Sequence, residues 1–368
     1  MDQKNEFRLR GIRCLLFDIF YKNNQVWLVL PVYDLKPFPS ELIHVSIEGK
    51  RLDITTRHVN MYYYGPVSIY VYDYCEPSPS IDVTVEYEWR KNVFHLEHIE
   101  TSEKPEMGLT TLCMDDYRIF TPFYGYYKDQ GVTQFYIYYN GEITPEIKKF
   151  FEPYGKDVTL IEWNFLYKLN GDTHHAQTGQ INHALYKYGK SNNKHMIFCD
   201  LDEYLHVPNT TLKEFVDRNK DINTFGFSIK WSQTIDGKIP DVFPRTFLTQ
   251  AGRIKYPMRS KNIYKVSDLK ILWIHSPLEY CETQSIICDL DMFHFYNWSR
   301  PTRTLRDETS DDLIIHTLED GHASPGASCG DPASSCRCGT SFPDYRSSHS
   351  THSADTPPQT MEESFPNV

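Results

Sequence analysis

The chain has 368 residues, 40 % hydrophobic and 14 % aromatic, enough for two domains with buried cores and a tail. Its formal net charge of −11 argues against a nucleic-acid binder, which would show a basic patch. No apolar run reaches the roughly 18 residues that a membrane-crossing helix needs, and residues 1–13 are polar and charged, unlike a signal peptide. The chain as given is therefore expected to be soluble, with the cytoplasm as its location.

Nine cysteines at irregular spacings include no CxxC pair, which argues against a structural zinc site. The strand positions of Cys113 and Cys199 favour reduced thiols. Asn209-Thr210-Thr211 and Asn297-Trp298-Ser299 match the glycosylation sequon, a pattern that often arises by chance.

Residues 1–104 read as all-β. Short aromatic and β-branched runs at 14–20, 25–32, 43–47, 67–74 and 81–89 are separated by turn clusters such as Lys22-Asn23-Asn24 and Glu48-Gly49-Lys50. That spacing predicts a small sandwich, read as an accessory or packing domain with its own core. The character changes near Pro105. Strands are predicted at 109–114, 133–139, 158–163 and 196–199, alternating with helices at 117–130, 146–154 and 174–188. The rhythm βαβαβαβ predicts a parallel sheet with right-handed crossovers over a domain spanning 105–306. A helix at 212–218, strands at 224–233, 261–266, 270–274 and 292–296, and a turn-rich loop at 236–255 complete it. From Asp307 to the end, Ser, Pro, Gly, Thr and Asp dominate, so 307–368 is expected to be a disordered tail.

Within that domain one stretch stands out, Ile197-Phe198-Cys199-Asp200-Leu201-Asp202-Glu203-Tyr204-Leu205. It begins apolar on both faces, as a strand buried in a parallel sheet does, and ends in three carboxylates. On a strand, Asp200 and Asp202 would point to one side. Open α/β folds bind ligands beyond the carboxyl ends of their strands. Two carboxylates there suit Mg²⁺ or Mn²⁺ shared with substrate phosphates. The competing reading is a strand that runs into a solvated acidic turn.

Further segments stand in order around it: Phe135-Tyr-Ile-Tyr-Tyr-Asn140, then Gln177, Asn182 and Leu185 in a Q-x-x-x-x-N-x-x-L frame, then Phe198-Cys-Asp-Leu-Asp-Glu-Tyr-Leu205. Lys261-Asn-Ile-Tyr-Lys265, Ile274-His-Ser-Pro277 and His294-Phe-Tyr296 follow. This ordered series resembles a nucleotide-sugar-dependent glycosyltransferase of the GT-A fold, and more narrowly glycosyltransferase family 92. The likeness spans roughly 105–300. His183 stands where the resemblance leads one to expect an acidic residue, and Arg300 is displaced from its expected place after His294-Phe295-Tyr296.

The resemblance implies a GT-A-like, Rossmann-like, mostly parallel sheet flanked by helices. It implies transfer of a sugar, galactose among the options, from a nucleoside-diphosphate donor of the UDP-sugar type to a glycan or other hydroxyl acceptor, with inversion. Mn²⁺ or Mg²⁺ would neutralise the leaving diphosphate. Asp200, Asp202, His275 and His294 are the candidate ligands, although Asp200 better suits the ribose or a metal-bound water; His275 is read as a metal or diphosphate contact, with a satisfied core position as the rival reading, and His294 suits either. Asp115, Asp116, Gln177, Asn182, Asp200 and Lys261 are the candidate donor contacts. Against this, Asp115 or Asp116 suits an N-cap, Gln177 and Asn182 suit exposed helix positions, and Lys261, like Arg259, suits a surface charge. Glu203 is placed to orient the strand end or touch the acceptor. An inverting enzyme needs a carboxylate base, for which Asp236, Asp241, Glu279 and Glu282 are available and spacing does not choose. Two other classes compete: a non-catalytic carbohydrate- or partner-binding protein with a degenerate transferase half, and a metal-dependent phosphohydrolase, which would need more His and Asp ligands.

Overall fold

A computed structural model describes residues 6–9, 12–31, 40–60, 67–74, 76–87, 90–100, 107–168, 174–190, 193–252, 254, 259–280, 285–299 and 313–318. The expected tail beyond 318, the 101–106 boundary, Glu282 and Arg300 lie outside the described residues, as does the side chain of Glu279.

The described N-terminal strands form three antiparallel sheets, one of them the two-stranded pair Glu6–Leu9 and Ile12–Leu15. Of the other two, Asp18–Lys22, Gln25–Pro31, Val67–Asp73 and Ile54–Asn60 make the first, and Arg90–Glu97, Ser80–Tyr87, Ile43–Ile47 and Lys50–Arg51 the second. Alternation along the first sheet decides what each face buries. Ile19 and Tyr21, with Val26, Leu28 and Leu30, face Val45, Val83 and Val85 in a core internal to this half. Phe17, Phe20, Val29, Val67 and Ile69 point the other way, into a second core shared with Tyr136, Tyr138, Trp163, Ile181 and Leu185. The first sheet is thus covered on both faces, which explains its near-continuous apolar runs. No N-terminal strand among the described residues joins the central sheet.

The central sheet has ten strands and is mixed. Val158–Glu162, Gln134–Tyr139, Met107–Cys113 and His195–Phe198 lie side by side and parallel, joined by the helices Phe120–Asp129, Pro145–Phe151 and His175–Ala184. Thr144 caps the second helix by accepting from the Ile147 N–H, with Pro145 at its first position. Beyond His195–Phe198 the expected parallel order stops. Lys261–Lys265 pairs antiparallel with that strand and Thr224–Gln233 antiparallel with Lys261–Lys265.

Two further departures follow from long-range pairing. Thr246–Gln250 forms a strand inside the stretch expected to be loop. Leu313–Thr317 forms a strand inside the stretch expected to be disordered. They pair with one another, and Thr246–Gln250 continues onto Ser232–Gln233. Their partners are distant in sequence, so local pattern did not reveal them. Glu203–His206 pairs antiparallel with Ile286–Phe295, placing Glu203 opposite His294, and Ile286–Phe295 runs parallel to Thr224–Gln233, placing Trp231 opposite His294. The second pairing shifts register between Phe225 and Phe227, beside Asp289, whose φ is 63°. This is a β-bulge.

Candidate active site

The acidic motif leaves the sheet at its carboxyl edge. The strand ends at Phe198, and Cys199 to Asp202 form a turn before the next strand begins at Glu203. Asp200 and Asp202 therefore do not sit on one strand face as the spacing suggested. A turn inserts a change of direction between them, and they carry different partners.

Asp200 is bound on both oxygens. Gln177 Nε2 donates to Oδ1 at 3.0 Å, and Lys261 Nζ lies 3.0 Å from Oδ2. The same ammonium lies 3.3 Å from Glu203 Oε2, whose carboxylate also accepts from the Asp200 N–H at 2.8 Å. Lys261 is only 3 % exposed, so it is neither a surface charge nor an open phosphate contact. Burial alone would lower its pKa, but Asp200 and Glu203 together raise it, so it is held as a cation. Burial pushes the Glu203 carboxyl up, and Lys261 opposes that rise.

Asp202 is buried, and its Oδ2 accepts from Ser299 Oγ and lies 3.4 Å from His294 Nε2. His294 Nδ1 is 3.7 Å from Glu203 Oε1, and the Trp231 ring backs the imidazole at 4.6 Å between centroids. Asp116 is the third carboxyl here. Burial raises its pKa to about 6, the Met114 N–H it accepts from at 2.9 Å opposes the rise, and the charges of Asp202 and Asp200 add to it. Its bond goes to the residue before the turn, so it does not cap the following helix. Asp115 stands exposed at the same strand end.

The four candidate metal ligands thus fall into two pairs. His294 stands with Asp202. His275 stands with Asp200, Lys261 and His174, its Nδ1 3.2 Å from the Ser260 carbonyl, and burial lowers its pKa to about 3. Among the described residues no group of three or more His, Cys, Asp or Glu side chains is arranged to hold a metal on its own. A carboxylate and an imidazole 3.4 Å apart nevertheless fit two positions on one hard cation whose other ligands are phosphate oxygens or water.

Asn182 does not face the donor side. Five residues past Gln177 it lies about 140° further round the helix, and its amide bonds the Leu272 backbone in both directions at 2.8 and 3.0 Å. Asp236 and Asp241 lie on the exposed loop between Thr224–Gln233 and Thr246–Gln250, with Asp236 Oδ1 accepting from the Lys238 N–H at 3.1 Å. The Glu279 backbone lies on Pro277–Tyr280. Sequence reasoning missed Ser299, which it read only as part of a sequon. It also missed Tyr167, whose hydroxyl donates to Gln177 Oε1 at 2.8 Å and so fixes the amide that holds Asp200.

A carboxylate-lined edge of an α/β sheet, with one carboxylate against an imidazole and another against a buried ammonium, lies where open α/β folds bind their ligands. The profile of glycosyltransferase family 92 matches residues 113–307, more than half of the chain. The chain belongs to glycosyltransferase family 92. Among solved structures, the crystal structure of HddC from Yersinia pseudotuberculosis is similar at 12 % identity over 53 % of this chain and 99 % of that one, with a TM-score of 0.32. No curated protein matches the chain. No helix among the described residues is long and apolar enough to cross a membrane.

Proposed function

We propose that the chain transfers a hexose from a UDP-sugar to a hydroxyl of a glycan acceptor, with Mn²⁺ or Mg²⁺ bound, with inversion at the anomeric carbon, and on a catalytic domain of the GT-A type. The observation that supports this best is the meeting of Asp202 and His294, 3.4 Å apart, beside the Gln177–Asp200–Lys261 array at the carboxyl edge of the parallel strands. Asp202 and His294 would hold the cation, which supplies counter-charge to the leaving diphosphate. The chain's own residues set this up. Ser299 orients the Asp202 carboxylate, and Trp231 fixes the plane of His294. Gln177 and Lys261 hold Asp200 still, and Asp200 remains 40 % exposed and able to accept a ribose hydroxyl. Asp200 and Asp202 both repel Asp116, and a divalent cation among them would relieve that repulsion. The base that takes the acceptor proton is a carboxylate, sought among Asp236, Asp241 and Glu279.

The test is calorimetric titration of the folded chain with a panel of nucleotide sugars, with Mn²⁺ and with a chelator, followed by transfer assays on glycan acceptors. Binding of a UDP-sugar that the chelator abolishes supports the reading. Equal binding with and without chelator removes the metal from it, and no nucleotide-sugar binding at all removes the donor.

A further inference from the structure

Polar side chains of the helix His175–Ala184 reach several different walls. Gln177 reaches Asp200, Gln180 donates to Thr110 Oγ1 at 2.7 Å, and Asn182 bonds the Leu272 backbone. His183 turns towards the N-terminal sheet, where its Nε2 lies 2.6 Å from Asp18 Oδ2, while its Nδ1 lies 2.7 Å from the Tyr138 hydroxyl. Asp18 only accepts, so Nε2 carries the proton, and burial favours the neutral ring, to whose Nδ1 the hydroxyl then donates. Lys187, in the π-helical turn Leu185–Gly189 that continues this helix without a break, donates to the same Asp18 oxygen at 2.7 Å. Lys22, from the other end of the strand Asp18–Lys22, donates to the carbonyls of Tyr186 and Lys187 at 2.7 and 2.9 Å. Carbonyls at a helix terminus have no partner within the helix, so a cation there is well placed.

Two more contacts fix the same surface. A Cβ on Gly179 would stand 2.6 Å from the Phe17 ring, so the sheet lies flush against the middle of the helix. Phe17 is itself held by Trp163 at 5.5 Å and His175 at 4.8 Å between ring centroids. Burial alone would raise the Asp18 carboxyl, but Lys187 and His183 hold it well below the usual carboxylate range.

We propose that Asp18 and Lys22 of the N-terminal sheet are positioning residues of the donor site: they fix the rotation and axial setting of the helix His175–Ala184 and so hold Gln177 against Asp200. The donor site is then built by both halves of the chain, and the N-terminal half is a structural part of the transferase rather than an appendage. The proposal rests on the transferase reading above, and it adds residues that touch no substrate.

Purified full-length Asp18→Ala, Gln177→Ala and the double variant test it, with donor KM and kcat measured at saturating acceptor. Supporting groups of this kind typically change activity by roughly 10- to 100-fold, and Asp18→Ala is expected to lower kcat/KM for the donor in that range. If Asp18 acts through Gln177, the double variant loses no more than Gln177→Ala alone. A general loss of packing would instead multiply with the loss from Gln177→Ala. Parental activity in Asp18→Ala, or multiplied losses, would overturn the proposal. Amide hydrogen exchange in Asp18→Asn and Lys22→Met gives a readout that needs no activity and covers the case where Asp18→Ala does not fold. Faster exchange confined to the helix His175–Ala184, with Gln134–Tyr139 unchanged, is expected, and unchanged helix exchange overturns the proposal. A parent chain that transfers no sugar sinks the transferase reading, and the exchange result still decides the positioning role.

Discussion

Lys261 places its ammonium 3.0 Å from Asp200 Oδ2 with only 3 % of its surface exposed, so the first carboxylate of the acidic motif already has a resident cation. The second, Asp202, is set between a hydroxyl and an imidazole instead. The two acids of one motif are therefore not equivalent. Replacing Lys261 by Met leaves the buried Glu203 carboxylate without its counter-ion, whereas Asp200 keeps partial solvation. Breaking a buried pair typically costs about 3 to 5 kcal/mol, and the low end is expected here because Asp200 is 40 % exposed. Urea denaturation of Lys261→Met should show that loss, and Lys261→Met with Glu203→Gln should recover part of it. No recovery in the double variant would mean that Lys261 acts through packing alone.

Asp202→Asn keeps the size of the side chain and removes its charge. The fold should persist, with a melting temperature close to that of the parent. Transfer should fall on the order of a hundredfold or more, the usual loss when one electrostatic contact to developing charge goes. Near-parental transfer would rule out a metal role for Asp202.

Several buried or half-buried histidines are held in their neutral form. Burial lowers the pKa of His58, His175 and His206 to about 4 each. Unfolded, they bind protons below about 6.5, so between about 6.5 and 4 these histidines hold more protons in the unfolded chain than in the folded one, which Asp116 and Glu203, raised by burial, offset in part. Stability therefore rises with pH across that window and is lost as pH falls through it. Asp18, held low by Lys187 and His183 against the effect of burial, adds a further loss as pH drops below the ordinary carboxylate value. Denaturant midpoints between pH 7.5 and 4.5 should decline steadily; a flat profile down to pH 5 would contradict the buried neutral histidines.

Gly179→Ala introduces a methyl group where the Phe17 ring stands, and that ring is locked between Trp163 and His175. Overpacking of this kind typically costs about 1 to 3 kcal/mol, outweighing the gain in helix propensity of up to about 1 kcal/mol. A net loss in thermal denaturation is expected. Gly179→Ala combined with Phe17→Leu should lose less stability than the sum of the two single losses.

Ending the chain at residue 312 removes the strand Leu313–Thr317, which pairs along Thr246–Gln250. That truncation should lower the melting temperature. Ending it at residue 322, beyond the strand, should leave the melting temperature at the parental value. If both truncations behave alike, the strand contributes nothing.

Much of the framework was legible in the sequence because it is local. The helix Leu212–Arg218 and the strand Thr224–Gln233 fall where the pattern placed them, and the helix is marked by a capping box between Thr211 and Glu214. Met107–Cys113, Gln134–Tyr139 and His195–Phe198 are read within two residues of their ends. What the sequence hid is what depends on a distant partner. Thr246–Gln250 is a strand because of Leu313–Thr317. Lys261 looks like a surface charge until Asp200 and Glu203 are folded around it. Ser299 looks like part of a sequon until it meets Asp202. His183, unexpected from the resemblance, has its counterpart in Asp18, 165 positions away.

The bulge beside Asp289 sets the phase of everything downstream on its strand. With it, His294 stands opposite both Glu203 and Trp231. Side chains alternate along a strand, so removing or adding one residue between the bulge and His294 would turn the imidazole to the other side of the sheet and bring a neighbouring phenylalanine to face Asp202. The length of this short segment is thus counted in parity. Over evolutionary time, descendants of this gene can change the chemistry of residues 290–293 more freely than their number.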